Sequence, residues 1–168
     1  MPIRTTEAAV LGQIVDRLRE AVPALAGRAC RLTDDDGPPR TVPATPFCTV
    51  HPGGGTFTDG IAGGGADVLA EQIVFATALW TRPGAEAGEA AAEALLAGDG
   101  AGLVTLKRDV LAALLVGWEP RRGNSRLLRS VLRPVRTLAP RRFEHPVRGG
   151  LIRLSVEWTA GLAWDVSP

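Results

Sequence analysis

The stretch Leu151-Ile-Arg-Leu-Ser-Val-Glu-Trp158 decides how the rest of the sequence is interpreted. Its side chains alternate between apolar and polar, with the period of two that a strand shows when one face is dry and the other wet. The dry set is Ile152, Leu154, Val156 and Trp158, and the wet set is Arg153, Ser155, Glu157 and Thr159. Strands of parallel sheets are usually covered on both faces, so this alternation predicts an antiparallel sheet with one open side.

Two stretches with helical periodicity can cover the dry face. The first begins after Thr5 or Thr6, which can cap a helix, and Pro23 predicts its end near residues 20–22. The second ends at Gly117. The apolar residues at helical spacing are Val10, Leu11, Ile14, Val15, Leu18, Val22 and Leu25 in the first stretch and Leu103, Leu106, Val110, Leu111, Leu114 and Leu115 in the second. We therefore expect two amphipathic helices against the dry face.

Most of the other regular segments are predicted to be strands. Val68 to Thr81 is apolar in both registers, which predicts a central strand with partners on both edges and cover on both faces. Shorter strands are expected around residues 28–32, 46–51 and 127–135, a helix over 85–96, and a closing strand from Gly150 to about Trp164. Since helices and strands segregate, the predicted fold class is α+β: an antiparallel or mixed sheet with amphipathic helices packed on one face and long flexible loops.

Length and composition are those of one folded domain, which we assign to residues 1–168. Residues 33–43 have turn chemistry with nothing to bury, and residues 52–66 are rich in glycine, so both are predicted to be flexible loops. Residues 119–148 contain nine arginines and four prolines. We interpret that segment, including 138–147, as an excursion from the core.

Charge is unevenly distributed along the chain. Residues 1–118 hold 9 Lys+Arg against 14 Asp+Glu, a net charge of −5, and residues 119–168 hold 10 against 4, a net charge of +6. This distribution suits head-to-tail contact between copies or an acidic neighbour at one end. No apolar run approaches the roughly 20 residues that a membrane span needs, and the N-terminus does not resemble a secretory signal. We expect no membrane partner and a protein that stays where it is made.

No motif for catalysis or cofactor binding stands out. The serines lie outside any Gly-x-Ser-x-Gly turn, and the glycine triplets lack the Gly-Lys-Ser/Thr end of a P-loop. Cys48 and His51 have a spacing that zinc permits, but Cys30 and His145 have no paired spacing, which favours buried free thiols and loop histidines. We therefore predict no enzyme activity, no cofactor and no metal.

The arginines of the C-terminal part could contact either nucleic acid or protein. They are Arg121, Arg122, Arg126, Arg129, Arg133, Arg136, Arg141, Arg142 and Arg148. Only Phe143 lies among them, so stacking on nucleic-acid bases is not indicated. A subunit interface that faces acidic residues is the favoured interpretation, and phosphate binding stays open.

Five parts follow one another in a characteristic order. They are an amphipathic helix ending in Leu25-Ala-Gly-Arg28, then Thr45-Pro-Phe-Cys-Thr-Val50 before a glycine-rich segment, a long strand ending in Leu-Trp-Thr-Arg82, the helix 103–115, and a final Leu-Ser-Val-Glu-Trp strand. In this order the chain resembles, over roughly residues 7–165, the tail terminator or tail-completion proteins of long-tailed bacteriophages and related prophages or phage-like particles. The Arg/Pro segment 119–148 and the glycine content of 52–66 depart from that pattern.

The resemblance implies an α+β structural virion protein that is not an enzyme. Proteins of that family form a ring, commonly a hexamer, on the head-proximal end of the tail tube, stop tube polymerisation and present a surface for joining the head. The implied partners are further copies of the chain, the tail tube protein and a head–tail connector or neck protein, with DNA in the lumen as a possible further one. The implied location is the neck end of the virion tail, after assembly in the host cytoplasm.

Three alternatives stay open: another tail or neck ring subunit, such as a tube or connector protein; a small nucleic-acid-binding protein that uses the arginine-rich part; and an enzyme with an unrecognised site. For the assembly interface we single out residues from the glycine-rich segment, the arginine-rich segment and the polar face of the last strand. They are Gly53, Gly54, Gly55, Phe57 and Asp59, then Arg121, Arg122, Arg126, Arg141 and Arg142, and finally Arg153 and Glu157. Arg153 and Glu157 have opposite charges four residues apart and are candidates for lumen or intersubunit contacts.

Overall fold

A computed structural model describes residues 5–32, 37–57, 68–82, 102–120, 132–147 and 149–165. Its elements, in chain order, are α1 (Thr5–Ala21), a 3-10 turn (Pro23–Leu25), β1 (Ala29–Arg31), β2 (Phe47–Phe57), β3 (Val68–Thr81), α2 (Leu103–Leu115), β4 (Leu132–His145) and β5 (Gly149–Asp165). The predicted helix 85–96 and residues 33–36 and 58–66 of the two predicted loops lie outside the described residues.

The five strands form one sheet in the order β1-β2-β3-β5-β4. The short β1 runs parallel to β2, and the other neighbours are antiparallel. With its two helices, this mixed sheet confirms the α+β class. The central strand is also confirmed, because β3 pairs with β2 along one edge and with β5 along the other.

Both helices pack on the sheet face that carries Ile152, Leu154, Val156 and Trp158. The apolar stripe of α1 and that of α2 join these side chains in one core. The helix boundaries follow the expected local chemistry, since α1 stops at Ala21, before Pro23, and α2 is followed by Gly117 with a φ of 65°. One member of the predicted α2 stripe is wrong: Leu115, at the last turn, is 43% exposed.

Arginines of α1 connect this helix to its neighbours through backbone carbonyls. The Arg17 Nε donates to the carbonyl oxygen of Ala113 at 3.0 Å, and the Arg19 Nε donates to that of Ala29 at 2.8 Å. These bonds join α1 to α2 and to β1. Hydrogen bonds from a charged donor are stronger than neutral ones, so these arginines reinforce the apolar packing of the helix layer.

The face opposite the helices, named here the second face, is not wet at its centre as predicted. Arg153 and Ser155 are only 7% and 4% exposed, whereas Glu157 and Thr159 are partly exposed. The reason is a small second cluster that covers one end of this face. Its members are Val42, Phe47, Ala78, Trp80 and Leu151, with Phe143 packed against them. Val42 also corrects the view that residues 33–43 bury nothing.

Two copies of one side-chain arrangement lie on opposite faces of the sheet. In each, a Phe-x-Thr unit (Phe47–Thr49 on β2, Phe75–Thr77 on β3) adjoins a tryptophan of the next strand. Trp80 stacks on the first phenylalanine with centroids 5.7 Å apart, and Trp158 stacks on the second at 6.0 Å. Each indole N–H donates to the threonine hydroxyl, at 2.8 Å for Trp80 and 2.9 Å for Trp158. Both tryptophans are fully buried.

The first glycine triplet belongs to a strand, which corrects the predicted loop over 52–66 as far as Phe57. Between Pro52 and Gly55 the register with β3 shifts, so that Gly53 and Gly54 both lie opposite Val74. Gly54 has a φ of 81°, a conformation that residues with a side chain rarely adopt. The glycines therefore form a β-bulge, which makes the strand longer than the apolar pattern indicated.

The predicted excursion over 119–148 is wrong for its second half. Residues 132–145 form β4, which pairs with β5, lies last in the order of the described strands and shows two register shifts, after Pro134 and after Leu138. Only residues 132–135 of the strand predicted over 127–135 are described, and β4 continues ten residues further. Its side chains are mostly exposed. An edge strand of arginines and prolines has no periodic apolar residues, so the sequence pattern did not predict it.

The bulge predicts opposite effects for two glycine substitutions. A Cβ at Gly54 or at Gly12, in the middle of α1, would meet no atom within 4 Å. Only backbone conformation therefore distinguishes the sites. Gly54→Ala should lower the free energy of unfolding by about 1 kcal/mol because of its positive φ, and Gly12→Ala should raise it by about 0.5–1 kcal/mol. Urea denaturation of both variants tests this, and a neutral or stabilising Gly54→Ala would contradict the bulge.

Candidate functional site

The structure spreads the predicted interface residues over three strands. Gly53, Gly54, Gly55 and Phe57 lie exposed on β2; Arg141 and Arg142 lie exposed on β4; Arg153 and Glu157 lie on β5. Asp59, Arg121, Arg122 and Arg126 lie outside the described residues. Their assignment to an assembly interface stays a prediction.

A cavity of about 260 Å³ opens on the second face, beside the cluster that contains Trp80. It lies over β2, β3, β5 and β4. Its lining residues are His51, Pro52, Gly53, Val74, Phe75, Ala76, Leu138, Arg153, Ser155 and Glu157. The floor of the cavity is formed by small side chains, Ala76 on β3 and Ser155 on β5. The larger side chains of His51 on β2 and Leu138 on β4 line its sides.

Three polar side chains at this cavity are more than nine-tenths buried. His51 and Ser155 are each 4% exposed and Arg153 is 7% exposed. Polar groups are costly to bury, and their convergence on a cavity is typical of a binding site. The alternation in the last strand had placed Arg153 and Ser155 on this face, but it did not indicate their burial. His51 had been interpreted as a loop histidine, although it lies in β2.

Hydrogen bonds connect the cavity to Trp80, a member of the second cluster. Thr49 Oγ1 accepts from the Trp80 indole and lies 2.6 Å from the His51 Nε2. Because the indole can only donate, the threonine hydroxyl proton points to His51 whenever that nitrogen is unprotonated. The histidine ring is thus oriented by the first Phe-x-Thr unit.

Arg153 is held by aromatic rings. Its guanidinium carbon lies 5.5 Å from the Trp80 ring centroid and 4.6 Å from that of Phe143, which is also approached by Arg141 at 5.6 Å. A cation over a ring face gains electrostatic energy without losing its charge. Arg153 therefore brings a fixed positive charge to the edge of the cavity.

Glu157 is paired with an arginine of the neighbouring strand. Its carboxylate binds Arg136, which lies directly opposite on β4, through both the Nε and, at 3.2 Å, the Nη2 atoms. The hydrogen bond to Arg136 lowers the pKa of Glu157, against a smaller rise caused by desolvation. Arg153 and Glu157, which carry opposite charges four residues apart in the sequence, therefore contact different side chains.

Cys30 and Cys48 are both free thiols. Cys48 belongs to the core on the helix side of the sheet. Cys30 lies opposite Thr49 in the pairing of β1 with β2, so it is on the second face. Burial raises the pKa of both thiols, most strongly for the fully buried Cys48. Within the described residues, no group of three or more His, Cys, Asp and Glu side chains could hold a metal ion. No helix in that part of the chain is long and apolar enough to cross a membrane.

Comparison with known proteins gives no further assignment. The sequence matches no protein-family model, and no curated protein matches it.

An acidic pair lies on the helix side of the sheet. Burial raises the pKa of Glu7, at the start of α1, and the negative charge of Glu71 on β3 raises it further. A raised folded-state pKa means that the ionised carboxylate is less favourable in the folded protein than in the unfolded one. Stability is therefore lost as the pH rises through that pKa.

We accordingly expect Glu7→Gln to stabilise the protein at neutral pH. The gain in the free energy of unfolding should be at most about 0.5 kcal/mol, since the site is partly exposed. It should vanish below the ordinary glutamate pKa, where both folded and unfolded chains are protonated. Denaturation of the wild type and the variant, measured at intervals of about one pH unit between pH 3 and pH 8, tests this.

The control for this prediction is the same substitution in a Glu71→Gln background. Removing the second charge should reduce the benefit of Glu7→Gln without abolishing it, because burial is the larger cause. A Glu7→Gln variant that is less stable at neutral pH, or equally stabilised at all pH values, would contradict the assigned cause.

Proposed function

We propose that the chain is the subunit of a homo-oligomeric ring that caps the head-proximal end of a phage tail tube. It stops tube polymerisation there and offers the surface to which the head joins. One ring face complements the last tube ring and the other does not, so addition of tube subunits ends. The ring is proposed to be a hexamer, with the tube protein and a neck or connector protein as its neighbours.

The observation that carries this proposal is the agreement between the order of parts quoted for the resemblance and the α+β fold. The Thr45–Val50 stretch leads into β2, the long strand is β3, the helix is α2, and the Leu-Ser-Val-Glu-Trp stretch is the middle of β5. The helix pair covers one face of the sheet and leaves β4 at its edge. Such a fold offers a helix layer, a second face and a charged edge as different surfaces to different neighbours.

The chemistry of β4 favours side-chain contact over strand addition. Pro134 and Pro140 cannot donate to a neighbouring strand, and the two register shifts interrupt the edge. Arg133, Arg141 and Arg142 are exposed along it. We therefore assign β4 to an electrostatic contact with acidic residues of an adjoining subunit or partner, as the acidic N-terminal part of the chain would supply.

A nucleic-acid-binding protein is the second candidate, favoured by the same arginines. Arginine suits phosphate contacts, and the exposed β4 arginines follow one strand. The aromatic ring among them, Phe143, is partly buried between Arg141 and Arg153. It is thus engaged within the protein, which favours the protein interface.

The ring proposal predicts self-association that depends on β4. Sedimentation velocity of the full chain, alone and with assembled tail tubes, should give a multimer or a tube-bound species. Arg141→Ser together with Arg142→Ser should weaken this association at least about tenfold, because each contributes an interfacial charge. The matched control is Lys107→Ser with Arg108→Ser, which removes the same charge from α2.

A wild type that remains monomeric and cosediments with no tail assembly would refute the ring. Equal loss of association in both double variants would show that only net charge matters. A duplex-DNA mobility shift with a steep dependence on salt concentration, abolished by the β4 variant alone, would instead support the nucleic-acid candidate.

A further inference from the structure

The floor of the cavity on the second face carries a buried hydroxyl group, that of Ser155. This residue is only 4% exposed, and it lines the cavity. Among the described residues, none forms a hydrogen bond with its hydroxyl. A buried hydroxyl without a partner is costly, because nothing replaces the hydrogen bonds that it makes with water in the unfolded chain. The cavity therefore presents a polar group that a bound molecule would satisfy.

The charged side chains at the cavity already have partners within the protein. Glu157 binds Arg136. The Arg153 guanidinium lies over the Trp80 and Phe143 rings. A charged ligand would have to compete with these contacts and would also lose its own hydration. An uncharged ligand would leave both arrangements in place, so the cavity favours a neutral molecule.

The remaining walls are apolar and incompletely covered. Pro52 on β2, Val74 and Ala76 on β3, and Leu138 on β4 line the cavity, and each of them is partly exposed. Covering such side chains with an aliphatic group removes apolar surface from water, which is favourable. A volume of about 260 Å³ suits a ligand with a short aliphatic body rather than a drug-sized molecule.

A ligand hydroxyl is the simplest match for the Ser155 hydroxyl. Either of the two groups can donate to the other, so one hydrogen bond provides a partner for both. A primary amide brings two N–H donors, and Ser155 can accept from one of them while the other would need a further acceptor. An alcohol therefore leaves fewer buried polar groups without a partner than an amide does.

We propose that this cavity binds a small uncharged alcohol with a short aliphatic body. The ligand hydroxyl forms a hydrogen bond with Ser155, and the aliphatic body covers Val74, Ala76 and Leu138. The ion pair and the ring contacts of the neighbouring charged residues stay as they are. The ring proposal does not require this binding, and the binding does not depend on ring formation.

The test is a titration of the full chain with isoamyl alcohol, followed in nitrogen–proton correlation spectra. Saturable shifts are expected at the backbone amides of Ala76 and Ser155, with a Kd on the order of 5 mM, as suits a ligand of this size. Isovalerate, which has the same carbon skeleton with a carboxylate in place of the alcohol group, should bind at least about tenfold more weakly at equal ionic strength. Absence of saturable shifts for isoamyl alcohol, or tighter binding of isovalerate, would overturn the proposal.

An alanine substitution assigns the binding to this cavity. Ala76→Leu fills the floor and should weaken the binding of isoamyl alcohol at least about tenfold, because the ligand and the new side chain need the same space. The matched control is Ala112→Leu, which adds the same side chain at an exposed position of α2 and should change the Kd by less than about twofold. Unchanged affinity in a folded Ala76→Leu variant would overturn the proposal.

The hydroxyl is tested separately by Ser155→Ala, which decides the matter if Ala76→Leu does not fold. This variant should bind isoamyl alcohol about threefold to tenfold more weakly. Its urea midpoint without ligand should be no lower than that of the wild type, because it removes a buried hydroxyl that has no partner. Thr77→Val, which removes the acceptor of the Trp158 indole, should by contrast lower the midpoint. Undiminished affinity in Ser155→Ala, or a midpoint lowered as much as in Thr77→Val, would overturn the proposal.

Discussion

The sheet depends on two buried indole N–H groups, each of which must find an acceptor within the protein. Trp80 and Trp158 donate to threonine hydroxyls of the strand next to their own, and both rings stack on the phenylalanine two residues before that threonine. A slip of one residue between these strands would move each indole to the opposite face and leave its N–H unsatisfied, at a cost of about 1–3 kcal/mol. The two Phe-x-Thr units therefore fix the register of β2, β3 and β5 from both faces.

The same constraint places the candidate site. The unit on the helix side lies within the main core, whereas the unit on the second face brings Trp80 under Arg153 and orients His51 through Thr49. Beside it, the small side chains of Ala76 and Ser155 line the cavity. The Phe47–Thr49 unit therefore helps to fix the sheet register and also positions residues of the candidate site. The proposed assembly surface on β4 lies next to that site.

The sequence predicted those elements whose buried residues recur with the period of a helix or a strand. Helices α1 and α2, the central strand and the closing strand each bury one face or both, so apolar residues recur at regular spacing. Strand β4 buries little on either face, and the bulge at Gly54 interrupts the period, so neither could be recognised. The cavity residues were missed for a different reason. Burial of Arg153 depends on Phe143 and Trp80, which are distant in sequence, and no local pattern encodes such a contact.

Hydrogen exchange of the tryptophan indole N–H groups tests the central claim most directly. Trp118, which is partly exposed under Arg17, provides the internal comparison. Trp80 and Trp158 should exchange at least about a hundredfold more slowly than Trp118, because their exchange requires opening of the sheet. Exchange of either buried indole at the rate of Trp118 would contradict the account, since its hydrogen bond to threonine would then not hold the strands in register.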